Sequence, residues 1–541
     1  MQIKKKSRSQ LYSMSENQDQ NSTKIEFPSK EESSTKIEFP SKEENKTAIV
    51  LDEYADSAST HSYHGTAWYD KKLIPGIPSY SSGLIQVVLL SFVAFLCPGC
   101  FNALSGLGGA GLSSATLANK ANIALNSTFS VVGFFSGTFV NTFGVKPSLI
   151  FGGSGYCIYV LAFLLHKVCN KSDAQITAVN GFIVFAGAWL GVCAGMFWCA
   201  QGAIMMSYPT EKAKGRYVFM FWTIFNLGAV IGSCVPLGQN MHNENGSSVG
   251  TGTYVAFLVL TACGFILAIF LLPIKKVKRK DGSKIITPKN PKIKEEMSEL
   301  FKVMKREPWI VGLFPLFFSS NWFYTYEQSD FNTTNFNIRT RALNSLLFWL
   351  MQMFGAMVIG CLLDFKKLSR KRRALYGWAV VFGATHIIWG CGYIFAKDHY
   401  RGAVVLNPID FTERRYIGPM FLYMFYGFFD ALWQCYSYWI MGALTNSSRK
   451  CAIYTGYYKG LQSAGAAISW AIDNMNKPYQ TMFGTSWGLL AGSMVIAFPV
   501  LFYKVEETTD INKDLVGISA DSPTYDDVSE YQTHVSVIDE A

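Results

Sequence analysis

The chain has 541 residues, half of them hydrophobic and only 16% charged. A soluble chain of this length usually forms several domains, but here the charged residues are concentrated outside long apolar stretches. The composition therefore favours a single membrane domain. The net charge of +10 does not indicate nucleic-acid binding, because the basic residues lie beside the apolar stretches and the sequence holds no basic folded domain.

The first 75 residues are predicted to form a disordered cytoplasmic tail, because they are rich in Ser, Lys, Glu and Asn and contain few large apolar residues. Residues 22–32 recur unchanged as residues 34–44, a duplication with a period of 12 residues. Two copies are too few for a solenoid, so we interpret them as a duplication within a tolerant tail. The acidic residues 505–541 are predicted to form a second cytoplasmic tail.

Twelve apolar stretches make up most of the remaining chain. A bilayer core of ~30 Å requires ~20 predominantly apolar residues in helical form. Because hydrocarbon offers no hydrogen bonds, each stretch is predicted to be a helix whose backbone groups bond to one another. The stretches run over residues 83–104, 121–143, 147–165, 179–203, 217–236, 252–273, 308–328, 341–363, 374–396, 416–443, 452–472 and 484–503.

The stretches fall into two groups of six. The first group occupies residues 80–273 and the second residues 308–504, and the basic cytoplasmic segment 274–307 separates them. Two six-span repeats related by an axis along the membrane normal are a known transporter arrangement. The predicted fold class is therefore an all-α membrane protein with twelve transmembrane helices in two six-helix halves.

A short motif occurs once in each half. The chain reads Gly-x-x-x-Asn-x-x-Gly-x-Lys after span two and Gly-x-x-x-Asp-Phe-Lys-Lys after span eight. This pattern resembles the inner-gate motif of the major facilitator superfamily, which implies a cytoplasmic gate tying the halves together. Asn141 replaces the acid of the first copy and Leu368 a glycine of the second, so a gate based on charge alone is not expected in the first half. The expected gate residues are Gly137, Asn141, Gly144, Lys146, Gly360, Asp364, Lys366 and Lys367.

Three longer blocks resemble fungal members of the uncoordinated-93-like family, a branch of the same superfamily. They are CPGCFNALSGLGGAG at residues 97–111, YPTEKAKGRY at residues 208–217 and YGFFDALWQ at residues 426–434. The resemblance covers about residues 80–505 and implies a major-facilitator-like fold. Fungal members are regarded as transporters, whereas animal relatives act as ion-channel regulators or as trafficking chaperones for other membrane proteins. Both functions stay open at this point.

Lys and Arg in short loops indicate the cytoplasmic side. With the N-terminus inside, the inner loops carry more than twice as many of these residues as the outer loops. Both termini and the central segment are therefore predicted to be cytoplasmic, although the outer loop 397–415 fits least well. Asn245 and Asn332 are the expected glycosylation sites, because they lie in predicted outer loops, whereas Asn446 lies in an inner one. The expected location is the plasma membrane or a vacuolar or endosomal membrane.

Few ionisable side chains lie within the spans, where each costs ~2.5–3.5 kcal/mol to insert and usually faces the bundle interior or a cavity. Asp430 lies near the middle of span ten, Lys459 in the inner half of span eleven and Glu327 at the outer end of span seven. Steps of three and four place further polar and aromatic residues on the same helix faces. A direct or water-bridged contact between Asp430 and Lys459 is predicted in at least one conformation. The candidate substrate or coupling-ion residues are Asp430, Lys459, Glu327, Tyr426, Trp433, Gln434 and Gln462.

Enzymatic functions fit poorly. The spans contain no paired His with metal spacing, no serine-nucleophile motif and no zinc-deaminase cluster, so no catalytic residue, metal or cofactor is expected. The favoured function is secondary transport of a small solute by alternating access. The lipid bilayer surrounds the protein, and a proton is the candidate coupling ion. The alternative is a non-transporting scaffold, chaperone or regulator with another membrane protein as its partner. An Asp430–Lys459 pair that only fixes helix packing would fit that alternative.

Overall fold

The computed structural model describes residues 67–72, 75–105, 115–169, 172–240, 250–280, 285, 291–401 and 407–509. These residues form a helical bundle without β-strands; two isolated β-bridges join loop segments. The described residues belong to one compact unit. The predicted duplication in residues 22–44 lies outside the described residues.

Among the described residues, six α-helices form the first half, one lies in the linker and six form the second half. The first half consists of α1 Gly83–Ser105, α2 Ala115–Phe143, α3 Val145–Val168, α4 Asp173–Ser207, α5 Lys214–Asn240 and α6 Thr251–Ala268. The linker contains α7 Ile293–Arg306. The second half consists of α8 Phe314–Ser319, α9 Ile338–Leu363, α10 Arg370–Ala396, α11 Ile417–Leu444, α12 Ser448–Asn474 and α13 Tyr479–Lys504.

Nine helices among the described residues are long and apolar enough to cross a membrane. Except in span seven, the observed helix ends lie within two helical turns of the predicted ends. Spans ten and eleven are not among the nine, although α11 and α12 have 28 and 27 residues and are each ~40 Å long at 1.5 Å per residue. Their many tyrosines and buried polar residues make them less apolar. The helices that depart from a simple apolar span are therefore those that carry the candidate site.

The prediction of a continuous helix for span seven is wrong. A 3-10 helix at Pro308–Leu313 leads into the short α8, and a turn separates α8 from a π-helix at Tyr326–Thr333. Pro308 and Pro315 lie in the first turns of the 3-10 helix and of α8, where a missing backbone N–H is tolerated. The turn after α8 frees two backbone carbonyls near the middle of the span: the Ser320 carbonyl accepts from Gln434 of α11 and the Trp322 carbonyl from Ser469 of α12.

The two halves meet through close helix pairs. Helix α2 packs on α12, and α5 packs on α9. The second span of each half thus packs on the fifth span of the other half, which is the reciprocity expected of two related repeats. In the α2–α12 contact a Cβ atom added at Gly137 would lie 2.9 Å from the carbonyl oxygen of Ala452, and one added at Gly460 would lie 2.6 Å from the backbone nitrogen of Phe134. Small residues therefore allow the backbones to approach closely.

The structure corrects one predicted boundary and adds a helix to the predicted linker. Residues 67–72, assigned to the disordered tail, include a 3-10 turn at Trp68–Asp70, and Asp70 pairs with Lys278 of the linker at 3.1 Å. The predicted basic linker contains α7. This helix buries Glu296, Leu300 and Val303 against the bundle.

Candidate functional site between the two halves

A cavity of about 170 Å³ lies between the halves. The first half contributes three carboxamide side chains to its lining, those of Asn102, Asn122 and Asn126. The second half contributes five, those of Asn321, Gln328, Gln352, Gln434 and Gln462. The remaining lining is largely aromatic, and it includes one cationic side chain, Lys459, and no carboxylate.

The cavity lies toward one end of the bundle. Its lining includes Ser105 at the end of α1, Ala118 near the start of α2 and Trp470 near the end of α12. None of the lining residues belongs to the opposite end, where α7 packs. We refer to the end reached by the cavity as the cavity end and to the end covered by α7 as the linker end.

Asp430 is fully buried on α11 just behind the cavity wall. The Tyr324 hydroxyl and the Gln352 amide both donate to its Oδ2 atom. The Gln434 amide, one turn further along α11, donates to Oδ1 at 3.3 Å. Three donors from three separate elements therefore hold the Asp430 carboxyl group, which gives this buried acid the hydrogen bonds it needs.

Two glutamines connect Asp430 to Lys459. The Lys459 ammonium donates to Oε1 of Gln462 at 2.7 Å, and Nε2 of Gln462 donates to Oε1 of Gln434 at 3.0 Å. Gln434 in turn donates to Asp430. We call Gln434 and Gln462 the amide chain. No direct ion pair joins Asp430 and Lys459 within the described residues, so the predicted direct contact stays a prediction for another conformation.

Aromatic rings surround the Lys459 ammonium. Its Nζ atom lies 4.7 Å from the ring centre of Tyr458, 4.8 Å from that of Trp198 and 5.2 Å from that of Tyr438. Ring faces attract a cation, most strongly where water is excluded. Because Trp198 belongs to α4, its contact with Lys459 joins the two halves. A relative movement of the halves would therefore change the surroundings of the Lys459 charge.

The break in span seven supplies acceptors for the amide chain. The Gln434 amide donates to the Ser320 carbonyl at 3.1 Å and to Oδ1 of Asn321 at 3.0 Å. The Gln462 amide donates to Oγ of Ser320 at 2.8 Å. A continuous helix would keep the Ser320 carbonyl in its own ladder, so the irregular backbone positions the amide chain. Irregular backbone at membrane depth is tolerated where protein or a cavity surrounds it.

Three predicted site residues lie outside the cavity lining. Tyr426 packs in an aromatic cluster with Tyr326 and Trp389, with ring centres 6.4 and 5.2 Å away. Trp433 is buried against Phe429 at 5.7 Å. Neither residue belongs to the cavity lining in this conformation, so their role as substrate or coupling-ion residues stays a prediction. A stripe defined by steps of three and four is wide enough to include residues outside the lining.

Glu327 is the third of these residues. It lies in the π-helix of span seven with no exposed surface, and neither carboxyl oxygen has a hydrogen-bond partner among the described residues. It is close enough to Asp430 to interact with it electrostatically. An unpaired ionised carboxylate in such a place is very costly, and a proton removes that cost.

At the linker end, Asp364 follows directly after α9 and accepts two backbone hydrogen bonds from the start of α5. The Gly215 N–H donates to Oδ1 at 2.8 Å and the Arg216 N–H to Oδ2 at 2.6 Å. A helix N-terminus carries unpaired N–H groups and partial positive charge, which suit a carboxylate. Burial raises the pKa of Asp364 above its ordinary value, although the two N–H donors act in the opposite direction.

The other motif residues divide into contact residues and exposed residues. A Cβ atom added at Gly360 would lie 2.7 Å from the Phe219 Cβ atom, so this glycine allows α9 to approach α5. Gly144 has a φ of +93° at the start of α3, a conformation that favours glycine. Lys366 and Lys367 are exposed and Lys146 is half-buried, and none of them pairs with an acid among the described residues. The role of these three lysines as gate residues therefore stays a prediction.

The sequence analysis did not identify the carboxylate that joins α2 and α12 at the linker end. Glu296 of α7 is buried and pairs with Arg449 of α12 at 2.6 Å. Asn141 of α2 donates to the same Glu296 carboxylate at 3.0 Å. A linker acid thus lies where Asn141 replaces the acid of the motif. The i, i+3, i+4, i+7 spacing of Glu296, Glu299, Leu300 and Val303 would have indicated a packed helix face.

Further contacts join the halves nearby. The Lys214 ammonium, at the start of α5, donates to Oδ1 of Asn446 at 2.6 Å and to the Thr445 carbonyl at 3.1 Å. Glu211 pairs with Arg370 at 3.2 Å. The two halves are therefore bonded to each other at the linker end by charged side chains.

The glycosylation prediction is corrected at one of its two positions. Asn332 is fully buried in the π-helix, and its Oδ1 atom accepts a hydrogen bond from Asn344 at 2.9 Å. A bulky glycan does not fit there. Asn245 lies outside the described residues, so sugar on that residue stays a prediction.

Two six-helix halves around a central cavity define a transporter-like, multi-pass membrane protein. A sequence model of the Major Facilitator Superfamily matches residues 87–470. The bacterial homologue of the iron transporter ferroportin, solved in an outward-facing state, superposes with a TM-score of 0.53 over 77% of this chain and 98% of its own, at 9% identity. That likeness concerns the fold alone, and the family points to a transporter rather than to an enzyme.

Relatives define the branch. The chain is 47% identical over 454 residues to the UNC93-like protein C922.05c of Schizosaccharomyces pombe, covering 82% of this chain and 88% of the relative. It is 36% identical over 440 residues to UNC93-like protein 1 of Arabidopsis thaliana, covering 81% and 94%. The chain belongs to the UNC93-like branch of the major facilitator superfamily, as the sequence blocks predicted.

Proposed function

We propose that the protein is a secondary transporter that moves a small solute across its membrane by alternating access. The observation that carries this proposal is the polar cavity between the halves, whose lining reaches one end of the bundle while charged contacts join the halves at the other end. This is the arrangement of a transporter with access from one side. Solute binding in the cavity would draw the cavity ends together, and the contacts at the linker end would then separate.

Within this proposal the candidate residues have different roles. Lys459, Gln434 and Gln462 line the cavity and are placed to touch the solute. Asp430 and Glu327 lie behind the wall, where they are placed to take up a coupling proton. Because the amide chain connects Asp430 to Lys459, a change of charge at the acid would alter the hydrogen bonds offered to the solute.

Uptake into liposomes tests the proposal. The purified full-length protein is reconstituted, and a panel of labelled small solutes is offered with and without an imposed pH gradient. The expected result is saturable uptake of at least one solute, and an increase with an inward proton gradient would identify the coupling ion. Asp430→Asn/Lys459→Gln, which removes both charges together, is expected to fold and to show no uptake. Uptake no greater than in protein-free liposomes for every solute would contradict transport.

Escort or regulation of another membrane protein is the second candidate. One observation favours it: an apolar groove of about 710 Å³ between α10 and α11, on the side of the second half away from the central cavity. Its rim includes Ile387 and Phe421, which are 68% and 50% exposed. Escort predicts that Ile387→Ser/Phe421→Ser changes the surface abundance of a client membrane protein, whereas Asp430→Asn/Lys459→Gln leaves that abundance unchanged. Transport predicts that Asp430→Asn/Lys459→Gln abolishes solute uptake, whereas Ile387→Ser/Phe421→Ser leaves uptake unchanged.

The linker end and both termini are proposed to face the cytoplasm. The basic loop 397–415 no longer argues against this orientation, because Arg401 pairs with Asp330 and Asp473 and Arg415 pairs with Glu413. Terminal tags should be protected from protease in sealed right-side-out vesicles, and sugar should be found on Asn245. A glycan on Asn446 would reverse the orientation. Fluorescence microscopy of the tagged protein would show whether it resides in the plasma membrane or in a vacuolar or endosomal membrane.

A further inference from the structure

We infer that the cavity binds a neutral, polyhydroxylated ring, such as a monosaccharide or a cyclic polyol. This inference rests on the proposed transport function and names the class of solute. Three properties of the cavity carry it: its charge, the distribution of its hydrogen-bonding groups and its size.

The cavity offers no unpaired charge. Its lining contains no carboxylate, and an organic cation would lose its hydration there without gaining a counter-charge. Lys459 is the one cation in the lining, and it is already bonded to Gln462 and surrounded by three rings. An organic anion would have to displace these contacts. A neutral solute enters without either cost.

Free hydrogen-bonding groups face the cavity from both halves. The side chains of Asn102 and Asn122 in the first half and of Gln328 in the second make no hydrogen bond among the described residues. Each carboxamide offers two donors and one acceptor. A hydroxyl group both donates and accepts, so it can pair with either end of each amide. A solute that bonds to both halves at once also explains how binding would bring them together.

The amides surround the cavity instead of forming one edge. They come from α1, α2, the span-seven segment, α9, α11 and α12. A hydroxylated ring carries polar groups around its whole rim, which matches this distribution. A nucleobase presents its polar groups at the edge of a single plane and would leave a free carboxamide on the opposite wall, such as that of Asn122 or Gln328, unpaired, which is unfavourable in a buried site.

Ring stacking and volume narrow the class further. Aromatic side chains including Phe101, Trp198, Trp222 and Trp470 line the cavity, and their faces suit the apolar C–H face of a saturated ring. A volume of about 170 Å³ lies below the roughly 300–1,000 Å³ of pockets for drug-sized ligands. The cavity therefore suits one ring and excludes a disaccharide or a nucleoside.

Calorimetric titration of the purified full-length protein tests the inference. The probes are D-xylose, D-glucose and myo-inositol as neutral polyols, succinate as an anion, choline as a cation and adenine as a planar base. At least one polyol should bind saturably, and it should alter the tryptophan fluorescence because four tryptophans line the cavity. The three other probes should give no saturable heat.

Variants on opposite walls then locate the binding. Asn122→Ala and Gln328→Ala should each weaken polyol binding by about ten-fold, the change that one lost hydrogen bond of this kind produces, while the thermal unfolding midpoint stays unchanged. The matched control is Asn474→Ala, which removes an exposed carboxamide at the end of α12. Its affinity should equal that of the unaltered protein.

Binding of succinate, choline or adenine without any polyol would overturn the inference, as would the absence of binding by every polyol. Polyol binding that neither wall variant weakens would also overturn it, because the solute would then lie elsewhere. These outcomes are separate from the test of transport. If a solute other than a polyol accumulates in liposomes, the transport proposal stands and the assignment of a polyhydroxylated solute fails. If polyols bind without accumulating, the assignment of the solute stands and the transport proposal fails.

Discussion

The linker end and the core of the second half both hold opposite charges out of water, but they do so differently. At the linker end the charges touch directly and across the halves, as in Glu296–Arg449 at 2.6 Å and Glu211–Arg370 at 3.2 Å. In the core, the amide chain separates Asp430 from Lys459, which lie in the same half. Direct pairs hold two surfaces together. A pair linked through amides stays compensated while leaving hydrogen-bonding groups available at the cavity.

Under the transport proposal, the difference follows from what each region would have to do. Contacts between the halves can break during a transport cycle only if water then reaches the separated charges, which the linker end permits. A charge in the core cannot be hydrated so easily, so losing its partner is far more costly. The following substitutions test this contrast, in order of decreasing expected effect.

Removing one core charge should cost the most. Asp430→Asn leaves Lys459 without a compensating charge, and Lys459→Gln leaves Asp430 without one, so each should lower the free energy of unfolding by about 3–5 kcal/mol. The double variant should recover most of that loss. Thermal unfolding in detergent measures stability, and liposome uptake measures function. A double variant that is as active as the unaltered protein would reduce the pair to a packing element.

Removing the linker acid should open the linker end. Glu296→Gln leaves the buried Arg449 with a weaker partner and should cost about 2 kcal/mol at this contact. The thiol of Cys199 reports the opening, because it donates to the Ala452 carbonyl across the halves at 3.2 Å. Maleimide labelling of Cys199, followed by peptide mass spectrometry, should become at least about ten-fold faster. Glu295→Gln is the matched control, since Glu295 is exposed on the same helix, and equal rates in both variants would refute the role of Glu296.

Neutralising Asp364 should have a smaller effect at the same end. Asp364→Asn can keep one of the two backbone hydrogen bonds, so the loss should be about 1 kcal/mol. Labelling of Cys199 should rise several-fold while the amount of protein in the membrane stays the same. Asp398→Asn, an exposed acid after α10, provides the comparison. An unchanged labelling rate in Asp364→Asn would argue against gating by this residue.

Replacing Lys366 and Lys367 by alanine should change least. Both side chains are exposed and bond to no acid among the described residues, and such surface substitutions usually alter stability by less than about 0.5 kcal/mol. Cys199 labelling should not change either. A marked increase in labelling would show that these lysines contribute to closure and would restore the role predicted from the motif.

Hydropathy predicted the helices because the thickness of a bilayer constrains their length and composition. It failed for span seven, whose apolar composition gives no sign that the helix is interrupted. There the Ser320 carbonyl accepts a hydrogen bond from the Gln434 side chain instead of from the helix backbone. Periodicity found Gln434, Lys459 and Gln462 correctly on the cavity lining. It could not separate them from Tyr426 and Trp433, because spacing defines a helix face but not the neighbour that covers it.

The linker shows a different limit of the sequence. Its many lysines led to the prediction of a basic cytoplasmic segment, and this average composition gave no sign of the few residues of α7 that pack inward. Glu296 was missed because its partners, Asn141 and Arg449, lie more than 150 residues away in the chain. Motif comparison showed that an acid was missing at Asn141, but only the folded chain shows which residue supplies it.

The glycine contact between α2 and α12 has a mechanical consequence. Around Gly133 and Gly456 it is backbone against backbone, with a Cβ atom added at Gly456 lying only 3.2 Å from the Gly133 carbonyl oxygen. At these two glycines no side chain has to change rotamer when one helix slides past the other, and the nearest cross-contact rings are those of Phe134 and Tyr457. The local shape of the contact is therefore nearly constant. The contact between α2 and α12 should therefore offer little resistance to sliding. Under the transport proposal, the barrier to reorientation of the halves would then be set by the ion pairs at the linker end, and variants that weaken those pairs should change the rate of the transport cycle more than its sequence of conformations.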